Sequence, residues 1–240
     1  MHPPELEVRD LGRIDYDSAL ALQRELQASV IEERERTGEP ARRGYLLLLE
    51  HDPPVVTVTR RKGAADHVLA SEQQLAARGI QLRETDRGGD VTYHGPGQLV
   101  AYVIVDINRL GVGVHGFMRL LEQAVIDTLS NAGLQGERDP TATGVWVGAE
   151  GTGTGRKICA LGVRFSRYVS MHGLALNVDP DLSHFSAIVP CGLAGRPVTS
   201  VARECQSLAV RAPSMSQAKE RLAQALAAQF SQNGIGDPAL

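Results

Sequence analysis

Cysteine is scarce in this sequence, and its spacing argues against two kinds of stabilising site. The chain of 240 residues has three cysteines, Cys159, Cys191 and Cys205, which is an odd number. None lies in a CxxC or zinc-finger spacing, so we expect neither a disulfide framework nor a structural zinc site. The seven histidines show no HExxH or comparable spacing, and we therefore expect no metal. This cysteine usage favours a reducing compartment.

Signals for export, membrane insertion and nucleic-acid binding are also lacking. The first fifteen residues contain no basic segment followed by an apolar one, and no apolar run approaches the ~20 residues that span a bilayer. The net charge of -3 gives no overall basic footprint for nucleic acid. Basic clusters at 42–43 and 60–62 suit an acidic protein partner or, more commonly, a solvated surface. We expect a cytoplasmic protein and, without long heptads, a monomer.

The apolar pattern that is present predicts an α+β fold. Periodicity typical of amphipathic helices marks 15–31, 117–131 and 216–230, and continuous apolar or β-branched runs predict strands at 45–50, 55–59, 98–106 and 158–165. The mixture favours a central mixed sheet with flanking helices. We expect one domain over 1–240, with a core at about 8–210 and a C-terminal helix at about 214–232.

A glycine-rich stretch immediately before the strongest strand is the first candidate for a site. RGGDVTYHGPGQ, residues 87–98, combines four glycines with charged and hydrogen-bonding side chains. Glycines allow a ligand to approach the backbone closely, and Arg87, Thr92 and His94 can orient one. The alternative interpretation is a tight turn with exposed polar side chains.

Cys191 is the cysteine whose surroundings best suit a reactive thiol. Cys159 lies between apolar residues on a predicted strand, whereas Cys191 lies in a Pro-Cys-Gly loop. A free thiol has a pKa of roughly 8.5 and needs a nearby cation or base to act as a nucleophile at neutral pH. Lys157 and His172 each stand at the start of a predicted strand, the second being MHGLALN, and each would more often be a structural or surface residue.

Together these stretches resemble one family. RGGDVTYHGPGQ, RKICALGV, HGLALNV and IVPCG occur in the order and approximate spacing of the octanoyl-[acyl-carrier-protein]:protein N-octanoyltransferases, also called lipoyl(octanoyl) transferases. The resemblance runs from the N-terminal helix to beyond Cys191. It implies the biotin/lipoate-protein ligase-like fold, which agrees with the α+β pattern.

The resemblance also implies roles for particular residues. The family's acyl-accepting cysteine falls on Cys191 and its partner lysine on Lys157. The implied substrate-binding residues are Arg87, Gly88, Gly89, Asp90, Val91, Thr92, Tyr93, His94, Ala160, Leu161, Gly162, Gly173, Leu174 and Ala175. Thr59 stands where the family commonly has glycine, and 151–155 is typical of an insertion before Lys157.

The implied reaction is octanoyl transfer through a cysteine thioester, the first step of protein lipoylation. Octanoyl-acyl carrier protein is the implied donor, and the acceptors are lipoyl domains of 2-oxoacid dehydrogenase complexes and the glycine cleavage H protein. A cationic Lys157 would favour the Cys191 thiolate, and a partly desolvated Lys157 can take the proton of the incoming amine. No cofactor is required.

Other functions remain open at the level of sequence. An ATP-dependent lipoate- or biotin-protein ligase would use an acyl-adenylate without a cysteine nucleophile, and a binding module on the same scaffold would have no reaction. GVGVHG, residues 111–116, formally matches the dinucleotide-binding GxGxxG, but it is offset from the strand end and lacks a clear βαβ unit with a ribose-binding carboxylate.

Overall fold

The computed structural model describes residues 2–148, 155–189 and 195–233, and within them the chain forms ten strands and five α-helices. The strands are β1 (Glu5–Ile14), β2 (Arg43–His51), β3 (Val55–Thr59), β4 (Gln81–Thr85), β5 (Thr92–His94), β6 (Gln98–Ile104), β7 (Gly136–Asp139), β8 (Ala142–Val147), β9 (Arg156–Ser166) and β10 (Val169–Asn177). The helices are α1 (Tyr16–Thr37), α2 (Glu72–Ala77), α3 (Val114–Ser130), α4 (Val201–Ser207) and α5 (Met215–Asn233).

Seven of the strands form one mixed sheet in the order β1-β2-β6-β10-β9-β8-β7. β1 pairs with β2 in parallel, and the other neighbours are antiparallel. A second sheet of order β4-β3-β5 combines one parallel and one antiparallel pairing. With helices packed on the large sheet, this architecture confirms the predicted α+β class with a central mixed sheet.

Helices cover both faces of the large sheet, which explains its continuous apolar strands. Leu46 and Leu48 of β2 belong to the cluster that contains α3 and α5, whereas Leu47 and Leu49 belong to the cluster that contains α1. Because successive side chains of a strand point to opposite faces, a strand buried on both sides reads as an uninterrupted apolar run. The stretch YLLLLE is such a run.

The helix α1 continues to Thr37, beyond the amphipathic pattern at 15–31. Asp15 caps its N-terminus by accepting from the Ser18 N–H, and Gly38 ends it in the left-handed conformation with φ of 71°. The glutamates and arginines between 32 and 36 favour helix even without an apolar face, so glycine sets the boundary.

The segment from Glu5 to Ile14 forms a strand that the sequence pattern did not indicate. Its side chains are mostly exposed or half-buried, since β1 lies at the edge of the large sheet. Residues 151–154, which belong to the insertion predicted before Lys157, lie outside the described residues. Among the helices of the described ranges, none combines the length and apolar character needed to cross a membrane.

Candidate active site

A cavity of about 250 Å³ lies on the side of the large sheet that α1 covers. The loop before β5, the strand β6, adjacent stretches of β9 and β10 and the β7–β8 hairpin supply its walls. The cavity thus lies between the large sheet and the β5 strand of the small sheet. Lys157 and His172 both contribute to its lining.

The glycine-rich loop contributes five of its eight predicted binding residues to this cavity. These are Arg87, Gly89, Asp90, Thr92 and His94. Alternation along β5 explains why Tyr93, between Thr92 and His94, faces away from the wall.

Val91 and Tyr93 pack instead into the apolar cluster beneath the small sheet. Gly88 joins the loop to β9, because its N–H donates to the Val163 carbonyl at 2.9 Å. A side chain on Gly162 would meet the Gly88 carbonyl oxygen at 2.8 Å, so the close approach of loop and strand depends on glycine.

Two short stretches of neighbouring strands form the opposite part of the wall. Gly162, Leu161 and Ala160 of β9 pair directly with Gly173, Leu174 and Ala175 of β10, and all six line the cavity. A Cβ on Gly173 would lie 2.2 Å from the Ala101 carbonyl oxygen of β6. The glycines and alanines among them leave room for a ligand, while glycine at 173 preserves the sheet itself.

Thr59, at the position where the resembled family commonly has glycine, supports the loop from outside the cavity. Its hydroxyl donates to the Gly89 carbonyl at 3.0 Å. The departure therefore adds a hydrogen bond to the glycine-rich loop in this chain.

His94, His172, Tyr16 and Tyr102 line the cavity, and the buried His51 packs against three of these rings. His51 Nε2 lies 2.6 Å from the Tyr102 hydroxyl, and His172 Nε2 lies 2.9 Å from Asp86 Oδ1. The ring of His51 also contacts the rings of Tyr16 and His94. Each of these rings thus has a defined orientation.

Burial keeps these imidazoles neutral. Desolvation lowers the pKa of His51 to about 4, and it lowers the pKa of His94 and of His172 despite the carboxylate beside His172. His94 Nδ1 donates to Gln98 Oε1 at 2.7 Å, because the Gln98 amide nitrogen already donates to Asn177. At neutral pH the cavity wall is therefore polar without carrying imidazolium charge.

Sequence reasoning missed much of this polar wall. Tyr16 and Tyr102 line the cavity, yet each stands in an element whose pattern indicated only core packing. His172 was expected to be structural, and it does pair with Asp86, but it also faces the cavity. Its position directly before Gly173 is the local sequence signal, and in the structure its φ is 64°, unusual for a residue with a side chain.

Lys157 enters the cavity from the start of β9. The residue is 6% exposed, and its Nζ lies 5.1 Å from the centre of the Trp146 ring on the paired strand β8. Gly144 makes room for its stem, because a Cβ there would come within 2.6 Å of Lys157 Cε. The lysine side chain thus lies against Gly144 and near the Trp146 ring, beside the predicted binding segments.

Cys191 lies outside the described residues, together with the rest of 190–194, but both flanks of this segment are fixed. Before it, the Val189 N–H donates to the His67 carbonyl at 2.8 Å. After it, the Pro197 carbonyl accepts from the Lys157 N–H, and the Thr199 N–H donates to the Lys157 carbonyl, both at 2.9 Å. The chain that leaves Cys191 is therefore hydrogen-bonded to Lys157 itself.

The other two cysteines lie in apolar surroundings. Cys159 and Cys205 belong to the core cluster between the large sheet and the helices α3 and α5. Burial raises the pKa of both thiols, so each stays protonated and unreactive at neutral pH. Neither lines the cavity.

Comparison with known proteins agrees with this geometry. Residues 15–227 match the family described as the lipoyl protein ligase A/B catalytic domain. An octanoyltransferase of Solibacter usitatus is 48% identical over 93% of this chain and 92% of its own length. An octanoyltransferase of Porphyromonas gingivalis is 44% identical over 83% of this chain, which spans only 40% of that protein.

A solved structure supports the fold. The bipartite lipoate protein ligase of Thermoplasma acidophilum superposes with a TM-score of 0.68, covering 95% of this chain and 84% of that one, at 18% identity. Together with a biotin protein ligase of Aquifex aeolicus at a TM-score of 0.51, this likeness confirms the predicted biotin/lipoate-protein ligase-like fold.

Proposed function

The chain belongs to the octanoyltransferase family, within the lipoyl protein ligase A/B catalytic-domain group, and on that premise we propose that it transfers octanoyl groups to lipoyl domains. The donor is octanoyl-acyl carrier protein, and the acceptor is the ε-amine of a lysine. The observation that carries the proposal is the pair of hydrogen bonds between Lys157 and the chain following Cys191, beside a cavity walled by small residues.

In the first half-reaction the Cys191 thiolate attacks the octanoyl carbonyl. A carbon–sulfur bond to Cys191 forms while the bond to the carrier thiol breaks, and the departing thiolate takes a proton from the Lys157 ammonium. A cation beside Cys191 also stabilises the attacking thiolate. Lys157 is then neutral, and the octanoyl group is held as a thioester.

In the second half-reaction the lysine amine of the acceptor attacks that thioester. The new carbon–nitrogen bond forms, Cys191 leaves as a thiolate, and the neutral Lys157 accepts the proton that the amine must lose. Both groups thereby return to their starting states. One lysine can serve both half-reactions because each moves one proton in the opposite direction.

The cavity suits the acyl chain for a simple reason. Each methylene taken out of water contributes about 0.8 kcal/mol, provided that it finds matching apolar space. Val100 and the alanines at 160 and 175 supply such surface, and the adjacent glycines leave it open.

The remaining assignments are also part of this proposal. We propose Arg87–His94, Ala160–Gly162 and Gly173–Ala175 as the binding segments, with lipoyl domains of 2-oxoacid dehydrogenase complexes and the glycine cleavage H protein as acceptors. We further propose a monomer that acts in the cytoplasm.

Intact-protein mass spectrometry tests the reaction. The protein is mixed with octanoyl-acyl carrier protein in the absence of ATP, and then a lipoyl domain is added. We expect one octanoyl adduct that is discharged by the lipoyl domain and absent from Cys191→Ala. Cys205→Ala, which removes a thiol outside the cavity, is the matched control and should keep the adduct.

Two results would contradict the proposal. If wild type forms no adduct and transfers octanoate only when ATP is supplied, the protein is a ligase that uses an acyl-adenylate. If Cys191→Ala transfers octanoyl groups normally, the thioester route is wrong.

A further inference from the structure

An arginine five residues beyond Cys191 is held by two groups at once. Arg196 Nη2 donates to Asp139 Oδ2 at 2.6 Å, and the guanidinium Cζ lies 3.6 Å from the centre of the Trp146 ring. Asp139 ends β7 and Trp146 lies in β8, so the hairpin that walls the cavity holds both partners. We call Arg196, Asp139 and Trp146 the Arg196 clamp.

The partners of Arg196 are themselves fixed. The Asp139 side chain is 0% exposed and also accepts from the backbone N–H and the hydroxyl of Thr141, which lines the cavity. The hydrogen bond from Arg196 lowers the pKa of Asp139 to about 2, so the carboxylate is charged throughout the neutral range. Trp146 is buried, and its indole N–H donates to the Ala142 carbonyl at 3.3 Å.

The clamp is also joined to the catalytic lysine. Trp146 stands directly opposite Lys157 in the β8–β9 pairing, and the Lys157 Nζ lies 5.1 Å from the ring that Arg196 stacks on. The next residue after Arg196 is Pro197, whose carbonyl accepts from the Lys157 N–H. One aromatic ring thus contacts both the lysine and the chain that follows Cys191.

We propose that Arg196 is a positioning residue, which through Asp139 and Trp146 sets where the chain that follows Cys191 meets Lys157. This inference rests on the proposed function, because it concerns the same cysteine–lysine pair. A planar guanidinium suits the role, since it can stack on a ring and donate to a carboxylate in one geometry. A misplacement of about 1 Å in an active site can cost on the order of 10²-fold in rate.

The chain contains a matched cluster remote from the cavity. Arg34 Nη1 donates to Asp106 Oδ2 at 2.6 Å, the Asp106 side chain is 0% exposed, and the Arg34 guanidinium lies 5.0 Å from the Tyr168 ring centre. None of these three residues lines the cavity. The same kind of interaction can therefore be removed near the site and far from it.

The test compares Arg196→Met and Arg196→Lys with Arg34→Met and Arg34→Lys. Two quantities are measured for each: the single-turnover rate of octanoyl loading, and the pH profile of Cys191 alkylation by iodoacetamide, both followed by intact mass. We expect loading by Arg196→Met to fall about 10²-fold. Its alkylation midpoint should move up toward about 8.5, the value of an unassisted thiol.

The lysine variant guards against a folding defect. Arg196→Lys keeps a cation for Asp139 but loses the planar stack, so it should fold and still load about tenfold more slowly than wild type. Both Arg34 variants should lose thermal stability yet keep the wild-type loading rate and alkylation midpoint.

Each contrary result has a separate meaning. Wild-type rates and midpoints in the Arg196 variants, or equal changes in the Arg34 variants, would overturn the positioning role. If wild type itself acquires no octanoyl group, the proposed function fails, and an unshifted alkylation midpoint in Arg196→Met would still overturn the clamp independently.

Discussion

The two faces of the large sheet are covered in different ways. Against α3 and α5 lies a continuous apolar cluster that includes Phe117, Leu121, Leu174 and Phe230. On the α1 side the apolar cluster gives way to a cavity, to buried histidines and to Lys157. The first face makes few demands besides packing, whereas the second holds polar groups that must be oriented by hydrogen bonds.

This difference shows how one sheet can separate stability from chemistry. Close packing yields free energy wherever apolar atoms exclude water, and it does not require particular side chains. A buried polar group is costly unless a partner is placed for it, so the cavity side has many specific contacts, such as those of Asp86 and Gln98. Substitutions on the two sides should therefore have distinct consequences.

Replacing the buried lysine of the cavity should have the largest effect. Lys157→Met removes the group proposed to move a proton in both half-reactions, which typically contributes 10²–10⁴-fold, so we expect octanoyl transfer to fall by about 10³-fold or more. The midpoint of thermal unfolding should change little by comparison. Steady-state transfer to a lipoyl domain, with melting followed by circular dichroism, measures both.

The chain provides a second buried lysine as the control. Lys219 of α5 is 9% exposed, and its Nζ donates to Asp10 Oδ1 at 2.6 Å on the other side of the sheet from the cavity. Lys219→Met should keep the wild-type transfer rate and lose at most about 1 kcal/mol of unfolding free energy, since its partner is solvent-exposed. Equal losses of activity in both variants would mean that Lys157 has no special chemical role.

Truncation of a large side chain in the apolar cluster should reverse the pattern. Phe117 is fully buried, packs edge-to-face against Phe165 and stacks on Phe230, with ring centres 5.7 and 6.3 Å away. Phe117→Ala should cost about 3–5 kcal/mol of unfolding free energy through lost burial and a residual cavity. Urea denaturation measures the cost, and transfer assays below the unfolding transition should give an unchanged KM. A raised KM with intact stability would contradict the separation of the two faces.

The sequence predicted the apolar half of this comparison better than the polar half. Uninterrupted runs such as YLLLLE and QLVAYVIVD indicate strands because burial on both faces makes nearly every residue of the run apolar. The edge strand β1 has no such run, since Glu7, Arg9 and Asp10 give it the pattern of a polar terminus. Its pairing depends on the neighbour β2, which sequence patterns do not encode.

The candidate site could be predicted only where its residues form continuous motifs. The glycine-rich loop was singled out by its composition, and the stretches 160–162 and 173–175 were implied by the family resemblance, whose motifs occupy adjacent positions. Tyr16 and Tyr102 were missed because they come from separate elements that meet only through folding. The Arg196 clamp joins residues 57 positions apart in a single hydrogen bond, so no local pattern marks it.

Lowering the pH should have the smallest of these effects on the free energy of unfolding. It should act through the buried histidines on the α1 side of the sheet. The pKa of His51 falls from 6.5 to about 4 on folding because burial disfavours the imidazolium. A group with a depressed folded-state pKa contributes stability above its unfolded pKa and loses it as the pH falls, since the unfolded chain then binds the proton more readily. Between pH 7 and pH 5, His51 alone should therefore cost about 2 kcal/mol of unfolding free energy. His94 and His172, whose pKa values are also lowered by burial, act in the same direction.

Urea denaturation at the two pH values measures the loss, and His51→Asn should show a smaller loss than wild type. A pH dependence unchanged in that variant would mean that the acid sensitivity arises elsewhere, and the proposed contrast between the two faces would lose its electrostatic basis.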